Sequence, residues 1–198
     1  MHSDLVRRGY DKIAFEYLAQ RQNLKSGKFV SQLLKYLPKR STILDLGCGA
    51  GVPVDDVFLK AGHQVIGIDI SPEQIKLARK NCPGGEFVVG NIAELKAGEY
   101  KANAVVSFYT LFHVERDLHG KVLKVISSYL PKGGMLLLTM GDREFEGEHE
   151  MYGEKMWSSQ FGTAKNRKVV EQAGFRVLLD ELENSGGERH QVIMAEKL

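Results

Sequence analysis

Apolar and polar positions along the chain follow two alternating rhythms. Short apolar runs at 42–46, 64–68, 87–89, 104–107 and 135–140 have the length and composition of buried strands. Between them the spacing turns helical. Val54, Val57, Phe58 and Ala61 fall at i, i+3, i+4 and i+7, and Leu118, Val122, Val125, Ile126 and Tyr129 share one face. Ser71-Pro72-Glu73-Gln74 predicts a helix start, with Ser71 as N-cap, proline at the first position and Gln74 closing a capping box. Strands that alternate with helices imply crossover connections, hence an open, mainly parallel α/β sheet with helices on both faces.

The flanks complete this plan. Two helices precede the first strand, around 4–20 and 28–37, and cap the sheet or its pocket. Pro131 and Gly133-Gly134 end the helix after the fourth strand. From 142 to 162 the pattern becomes a polar stretch broken by glycines, with Met151, Tyr152, Met156, Trp157 and Phe161 set into it. A connection this long reads as a functional loop, a lid over an acceptor site. A last helix at 164–173 stops at Gly174. Strands at 175–179 and 190–196, joined around Asn184-Ser185-Gly186-Gly187, predict a C-terminal antiparallel hairpin.

At 198 residues and 43% hydrophobic content, the chain fits a single domain, 1–198, with 1–40 as helical cap and 142–162 as lid. A net charge of +2 is too mild to declare a nucleic-acid or membrane partner. Cys48 and Cys82 are few and far apart, which fits a reducing compartment and neither a disulfide framework nor a metal site. With no apolar leader and no long apolar run, the expected location is the cytoplasm. The sequence does not indicate an oligomeric state.

The chemistry concentrates where strands end. Leu44-Asp45-Leu46-Gly47-Cys48-Gly49-Ala50-Gly51 runs from a buried strand into alternating glycines, and Asp69 closes the next strand. A ligand in such a sheet lies beyond the carboxyl ends of the strands, where the strand order reverses. The glycine spacing is one residue tighter than the Gly-x-Gly-x-x-Gly that seats a diphosphate, and Asp45 beside it suits an ammonium group better than a phosphate. Asp69 is placed to accept from two ribose hydroxyls. Together they ask for a nucleoside with an amino-acid end and no phosphate.

On these residues the chain resembles the class I (Rossmann-like) S-adenosylmethionine-dependent methyltransferases, especially a small-molecule branch similar to ubiquinone-biosynthesis methyltransferases. Residues 44–51 match the family's first motif and Val65-Ile66-Gly67-Ile68-Asp69-Ile70-Ser71 its second. The resemblance implies a Rossmann-like fold and S-adenosylmethionine as cofactor, held by Asp45, Gly47, Cys48, Gly49, Asp69 and Ile70. Asn91 stands where the family has an acid and would accept from the adenine amino group, with Ile92 packing on the adenine face. Ser107-Phe108-Tyr109-Thr110-Leu111-Phe112-His113 looks like the fourth motif and adds Phe108; it lacks the pattern of amino-methylating enzymes. Tyr10 and Tyr17 resemble a stretch that closes over the cofactor.

Methyl transfer to oxygen or sulfur needs a base, and His113 is the candidate. Tyr10, Tyr152 and Trp157 are expected as walls, and His190 with Glu188 as a second base pair. Asp142, Glu144, Glu146, Glu148, Glu150 and Glu154 suggest a negative lid that repels a nucleic-acid backbone, hence a small-molecule acceptor methylated at oxygen, carbon or sulfur. A cofactor-binding protein without its own catalysis, a sensor or partner subunit, is the alternative, and an NAD-dependent oxidoreductase a weaker one.

Overall fold

The computed structural model describes residues 2–21, 27–185 and 188–198. In chain order the elements are α1 (His2–Arg21), α2 (Gly27–Leu33), β1 (Thr42–Leu46), α3 (Val54–Lys60), β2 (Gln64–Asp69), α4 (Pro72–Asn81), β3 (Glu86–Val89) and β4 (Ala104–Ser107). They continue with α5 (His119–Tyr129), β5 (Met135–Gly141), β6 (Phe145–Met151), β7 (Glu154–Gln160), α6 (Thr163–Gln172), β8 (Phe175–Ser185) and β9 (Glu188–Lys197).

Seven strands form one sheet in the order β3-β2-β1-β4-β5-β9-β8. Neighbouring strands from β3 to β5 pair in parallel, while β9 runs antiparallel to both β5 and β8. The order reverses between β1 and β4, so the crevice of this fold opens at the carboxyl ends of those two strands. Every residue of β4 and β5 is buried, as expected of strands covered on both faces. Successive residues of β1 serve opposite cores: Leu44 and Leu46 pack with Val105, Leu136, Ile126 and Val170, whereas Ile43 packs with Val65, Phe29 and Phe58.

The predicted start of α4 holds in part. Ser71 Oγ accepts from the Gln74 amide at 3.2 Å with Pro72 at the first position, but Gln74 does not close the box, since Ser71 N donates to Asp69 instead. The second N-terminal helix is shorter than expected. It stops at Leu33 and passes through a 3-10 turn, Leu34–Tyr36, because Leu37 is held extended by the proline that follows it.

The larger departure concerns 142–162, expected as a loop. It is a second sheet, the antiparallel hairpin β6–β7, turned by Tyr152 and Gly153 with φ of 52° and 77°, the positive values a tight hairpin turn requires. Along β6 the acids Glu146, Glu148 and Glu150 are exposed and Gly147, His149 and Met151 are half-buried on the opposite face. The acids therefore point away from the interior of the molecule. Helix α1 lies against β7, and Val6, Tyr10 and Ile13 pack with Met156 and Trp157. Gly9 permits the close approach, since a Cβ there would sit 2.5 Å from Met156 Sδ.

β8 and β9 are also longer than the apolar pattern indicated, because their outer halves carry polar side chains that pair across the ribbon. The Gly186-Gly187 tip expected to turn them lies outside the described residues.

The buried Asn166 amide ties this region together. Its Nδ2 donates to Gly141 O at 2.8 Å and Gln191 Oε1 at 3.0 Å, joining α6 to the end of β5 and to β9. Asn166→Ala leaves these acceptors buried and unmet; it should cost about 1–3 kcal/mol, read as a lower urea midpoint.

Candidate cofactor and acceptor site

The turn after β1 is set by backbone and by Asp69. Gly47 N and Cys48 N both donate to Ile68 O, at 2.7 and 3.1 Å, which folds the chain back over the end of β2. Gly47 has φ +81°, and a Cβ there would lie 1.9 Å from Thr110 Oγ1, so no other residue fits. Asp69 accepts from Gly49 N at 2.9 Å on one oxygen and from Ser71 N at 2.8 Å on the other. Ser71 Oγ in turn donates to Asp11 Oδ1 at 2.7 Å, which docks α1. One carboxylate thus shapes the glycine loop, orients α4 and, through Ser71, locates the helix above.

Two adjoining cavities lie along this loop. A crevice of about 600 Å³ is bordered by Tyr10, Tyr17, Gly47, Gly49, Asp69 and Ile70. Its far side is formed by Asn91, Ile92, Phe108 and His113. Asp45 and Cys48 border a neighbouring space of about 510 Å³ that shares Tyr17, Gly47, Gly49 and Phe108. All twelve residues expected to bind cofactor or catalyse therefore come together. Asn91 Oδ1 accepts from Ala93 N at 3.0 Å and so also shapes its own turn.

Residues not singled out from sequence join them. The Gln74 amide is fully buried, borders the crevice, and has neither its oxygen nor its nitrogen paired among the described residues. Freed from the capping box, it offers a donor and an acceptor to a ligand. Tyr109 borders both spaces with φ +57°, a strained value for a non-glycine, and its N–H is taken by the buried Thr139 hydroxyl. A motif gave the position of Tyr109, but nothing in the sequence signalled its backbone strain.

Burial dominates the electrostatics. Asp69 is pushed up to about 6 by burial, partly offset by the amides of Ser71 and Gly49. Burial raises both Asp45 and Asp55; the neighbouring Asp45 raises Asp55 further, whereas Asp55 eases Asp45 back, so Asp55 is the protonated member of the pair. Asp45, hydrogen-bonded to the Asp55 carboxyl, borders the space beneath the loop of bare backbone, and the unmet Gln74 amide borders the adjoining crevice; a carboxylate along one space with a free amide on the other fits an ammonium-bearing nucleoside. The Cys48 thiol is driven well above its ordinary value by burial and then by Asp55, Asp69 and Asp45, which disfavours the thiolate a nucleophile would need.

Beyond His113 lies a third space, an open chamber of about 1200 Å³ under the hairpin, bordered by Phe112, Arg143, His149, Ser158, Arg189 and His190. Tyr10 and His113 belong to both crevice and chamber. His113 ends a 3-10 turn, Leu111–His113; its Nδ1 is 2.7 Å from Trp157 O and its Nε2 3.0 Å from Tyr10 Oη. A carbonyl oxygen only accepts, so neutral His113 carries its proton on Nδ1 and presents the Nε2 lone pair where crevice and chamber meet.

Several expectations need correction. The Trp157 side chain packs against α1 and stacks on His2 at 4.1 Å, so what it lends the site is its carbonyl and not a wall. Tyr152 stands exposed at the hairpin turn. The strand register sets His190 opposite the buried Glu183 and Glu188 opposite Ser185, so the acid beside His190 is Glu183; the Glu188 side chain lies outside the described residues. The acids of the supposed negative lid face solvent or are held by cations: Arg116 pairs with Glu144 and Glu146 at 3.1 and 3.0 Å, and Lys12 with Glu154 at 2.8 Å. Of the six only Asp142 borders the chamber, paired there with Arg189 at 2.8 Å, so they form no negative lid and do not argue against nucleic acid.

Residues 43–134 match the methyltransferase-domain family. The chain is 28% identical over 166 residues to a carboxy-S-adenosyl-L-methionine synthase of Campylobacter curvus, covering 74% of this chain and 68% of that protein. It is 30% identical over 106 residues to a ubiquinone biosynthesis O-methyltransferase of Xanthomonas campestris, covering 51% and 43%. The chain thus spans less than half of this second relative's length. Its fold follows the magnesium protoporphyrin IX methyltransferase of Synechocystis, solved with S-adenosylhomocysteine, with a TM-score of 0.79 over all of both chains at 17% identity. The methyltransferase-domain match thus takes in β1 to the turn before β5, the part that carries the glycine loop and Asp69, and over its whole length the chain shares the Rossmann-like fold of that enzyme. Among the described residues no helix is long and apolar enough to cross a membrane.

Asp69 supplies a pH test. A carboxyl raised from 3.8 to about 6 on folding contributes stability that is complete below its unfolded value and lost as pH rises through 6. Asp69→Asn is neutral throughout, so the stability difference between wild type and variant should move by up to about 3 kcal/mol between pH 4 and pH 7, against the wild type. Urea unfolding at both pH values measures it.

Proposed function

We propose that this protein transfers the methyl group of S-adenosylmethionine to a small molecule held in the chamber under the hairpin, at oxygen, carbon or sulfur. The observation that carries this reading is that crevice and chamber share Tyr10 and His113. The cofactor supplies an activated methyl on a sulfonium, so the chain has to align the acceptor, exclude water and take up a proton.

Its residues divide that work. Asp45 receives the ammonium of the amino-acid end, and Asp69, whose oxygens each keep a lone pair after serving Gly49 and Ser71, receives the ribose hydroxyls. Asn91 and Ile92 hold the adenine. Gln74 meets a polar group of the ligand with its unmet amide. His113 Nε2 removes the acceptor's proton, and the Trp157 carbonyl stabilises the charge that His113 then carries by keeping Nδ1–H paired. Tyr10 Oη, the group on Nε2 in the structure, yields that position to the acceptor. Helix α1 and the hairpin together form the cover over both spaces. Two free thiols fit a cytoplasmic setting.

Titration calorimetry with S-adenosylmethionine tests the cofactor half. An ammonium beside Asp45 favours its charged form, so binding near neutral pH should release protons, detected as a dependence of the heat on the buffer's ionisation enthalpy. Asp45→Asn should abolish the release and weaken binding about tenfold or more, the worth of a charge-assisted hydrogen bond. Unchanged affinity refutes the assignment. For the catalytic half, His113→Ala should reduce methyl transfer by about 100-fold or more with cofactor affinity unchanged; equal loss of both would make His113 structural.

A further inference from the structure

We infer that the chamber is built for an acceptor with an anionic oxygen head, a carboxylate or a phosphate, on a small apolar body. This deepens the proposed function and rests on it for the position of the methyl group. It does not rest on it for the binding of the anion.

The two faces of β6 carry the argument. Its outward face bears Glu146, Glu148 and Glu150, and its inward face presents His149 and Met151 to the chamber, with Arg143 just before the strand. From the opposite wall come Arg189 and His190 of β9, and β7 adds Ser158 and Gln160. Each of these polar groups can donate, and a guanidinium can only donate. Among the residues lining the chamber there is one acid, Asp142, and its carboxylate is taken by Arg189 Nε at 2.8 Å.

Arg143 has no carboxylate within ion-pair distance among the described residues, although Glu144 is its neighbour in sequence; that acid is turned outward to Arg116. The acids of β6 therefore stand on its outward face, while Arg143 and the Asp142–Arg189 pair stand at the solvent-open rim of the chamber. A chamber so composed favours an anionic head, since a carboxylate or phosphate meets a guanidinium in a charge-assisted bidentate pair whereas a neutral carbonyl accepts only a weaker bond. Phe112, Phe145 and Met151 supply the apolar lining, and Phe112 stacks on His190 at 5.5 Å. The anionic head is thereby directed to the mouth at Arg143 and Arg189, and the apolar body toward His113.

The test is calorimetry on the full chain, both alone and with S-adenosylhomocysteine present, titrated in parallel with benzoate, phenyl phosphate and benzamide. These probes share a ring and differ in the head. At least one of the two anions should bind saturably and benzamide should bind at least tenfold more weakly; the tighter anion identifies the head. Arg143→Gln, an exposed change, should weaken the anion about tenfold and leave S-adenosylhomocysteine affinity unchanged. Lys121→Gln, on a cationic groove elsewhere, should leave the anion unaffected and so excludes a general effect of surface charge. Equal binding of benzamide, no binding of either anion, or an Arg143→Gln variant that binds the anion as wild type does would overturn the inference. None of these results depends on methyl transfer, so a failed cofactor assay and an empty chamber are separate findings.

Discussion

The site depends on one carboxylate. Asp69 is paired to Gly49 N on one side and Ser71 N on the other, so a single side chain sets the curve of the glycine loop and the entry of α4. Ser71 passes the constraint to Asp11 of α1, α1 carries Tyr10, and Tyr10 reaches His113, whose other nitrogen is fixed by Trp157 in the hairpin. A path of hydrogen bonds and one helix thus joins the glycine loop to His113, where crevice and chamber meet. The cost of burying Asp69 as an anion, visible in its raised titration, is the energetic price of that arrangement.

What the sequence disclosed and what it hid have distinct physical origins. The parallel strands were legible because burial on both faces leaves unbroken apolar runs, and the glycine loop because a backbone turn that admits no Cβ leaves its mark in residue type. The hairpin β6–β7 was hidden. Its strands are half solvated, so Glu146 to Glu150 read as loop polarity although they alternate with Gly147 and His149 in the period of a strand, and Tyr152-Gly153 is an unobtrusive turn. The outer parts of β8 and β9 were missed for the same reason.

The candidate site was legible by motif and less so by partnership. His113, Tyr10 and Asp69 could be placed near one another from the topology, but the Trp157 carbonyl that fixes the tautomer of His113 is a backbone atom, to which no side-chain pattern points. Likewise Glu183 faces His190 through strand register, a pairing that spacing along the chain does not reveal. Gln74 reads as a capping residue until Asp69 takes the amide it would have capped.

Tyr10 has a wider consequence because it belongs to both spaces. A single door serves two rooms: displacing α1 would strip one side from the crevice and from the chamber together and part the imidazole from its phenol, so under the proposed function the two occupants would share one helix as their common wall.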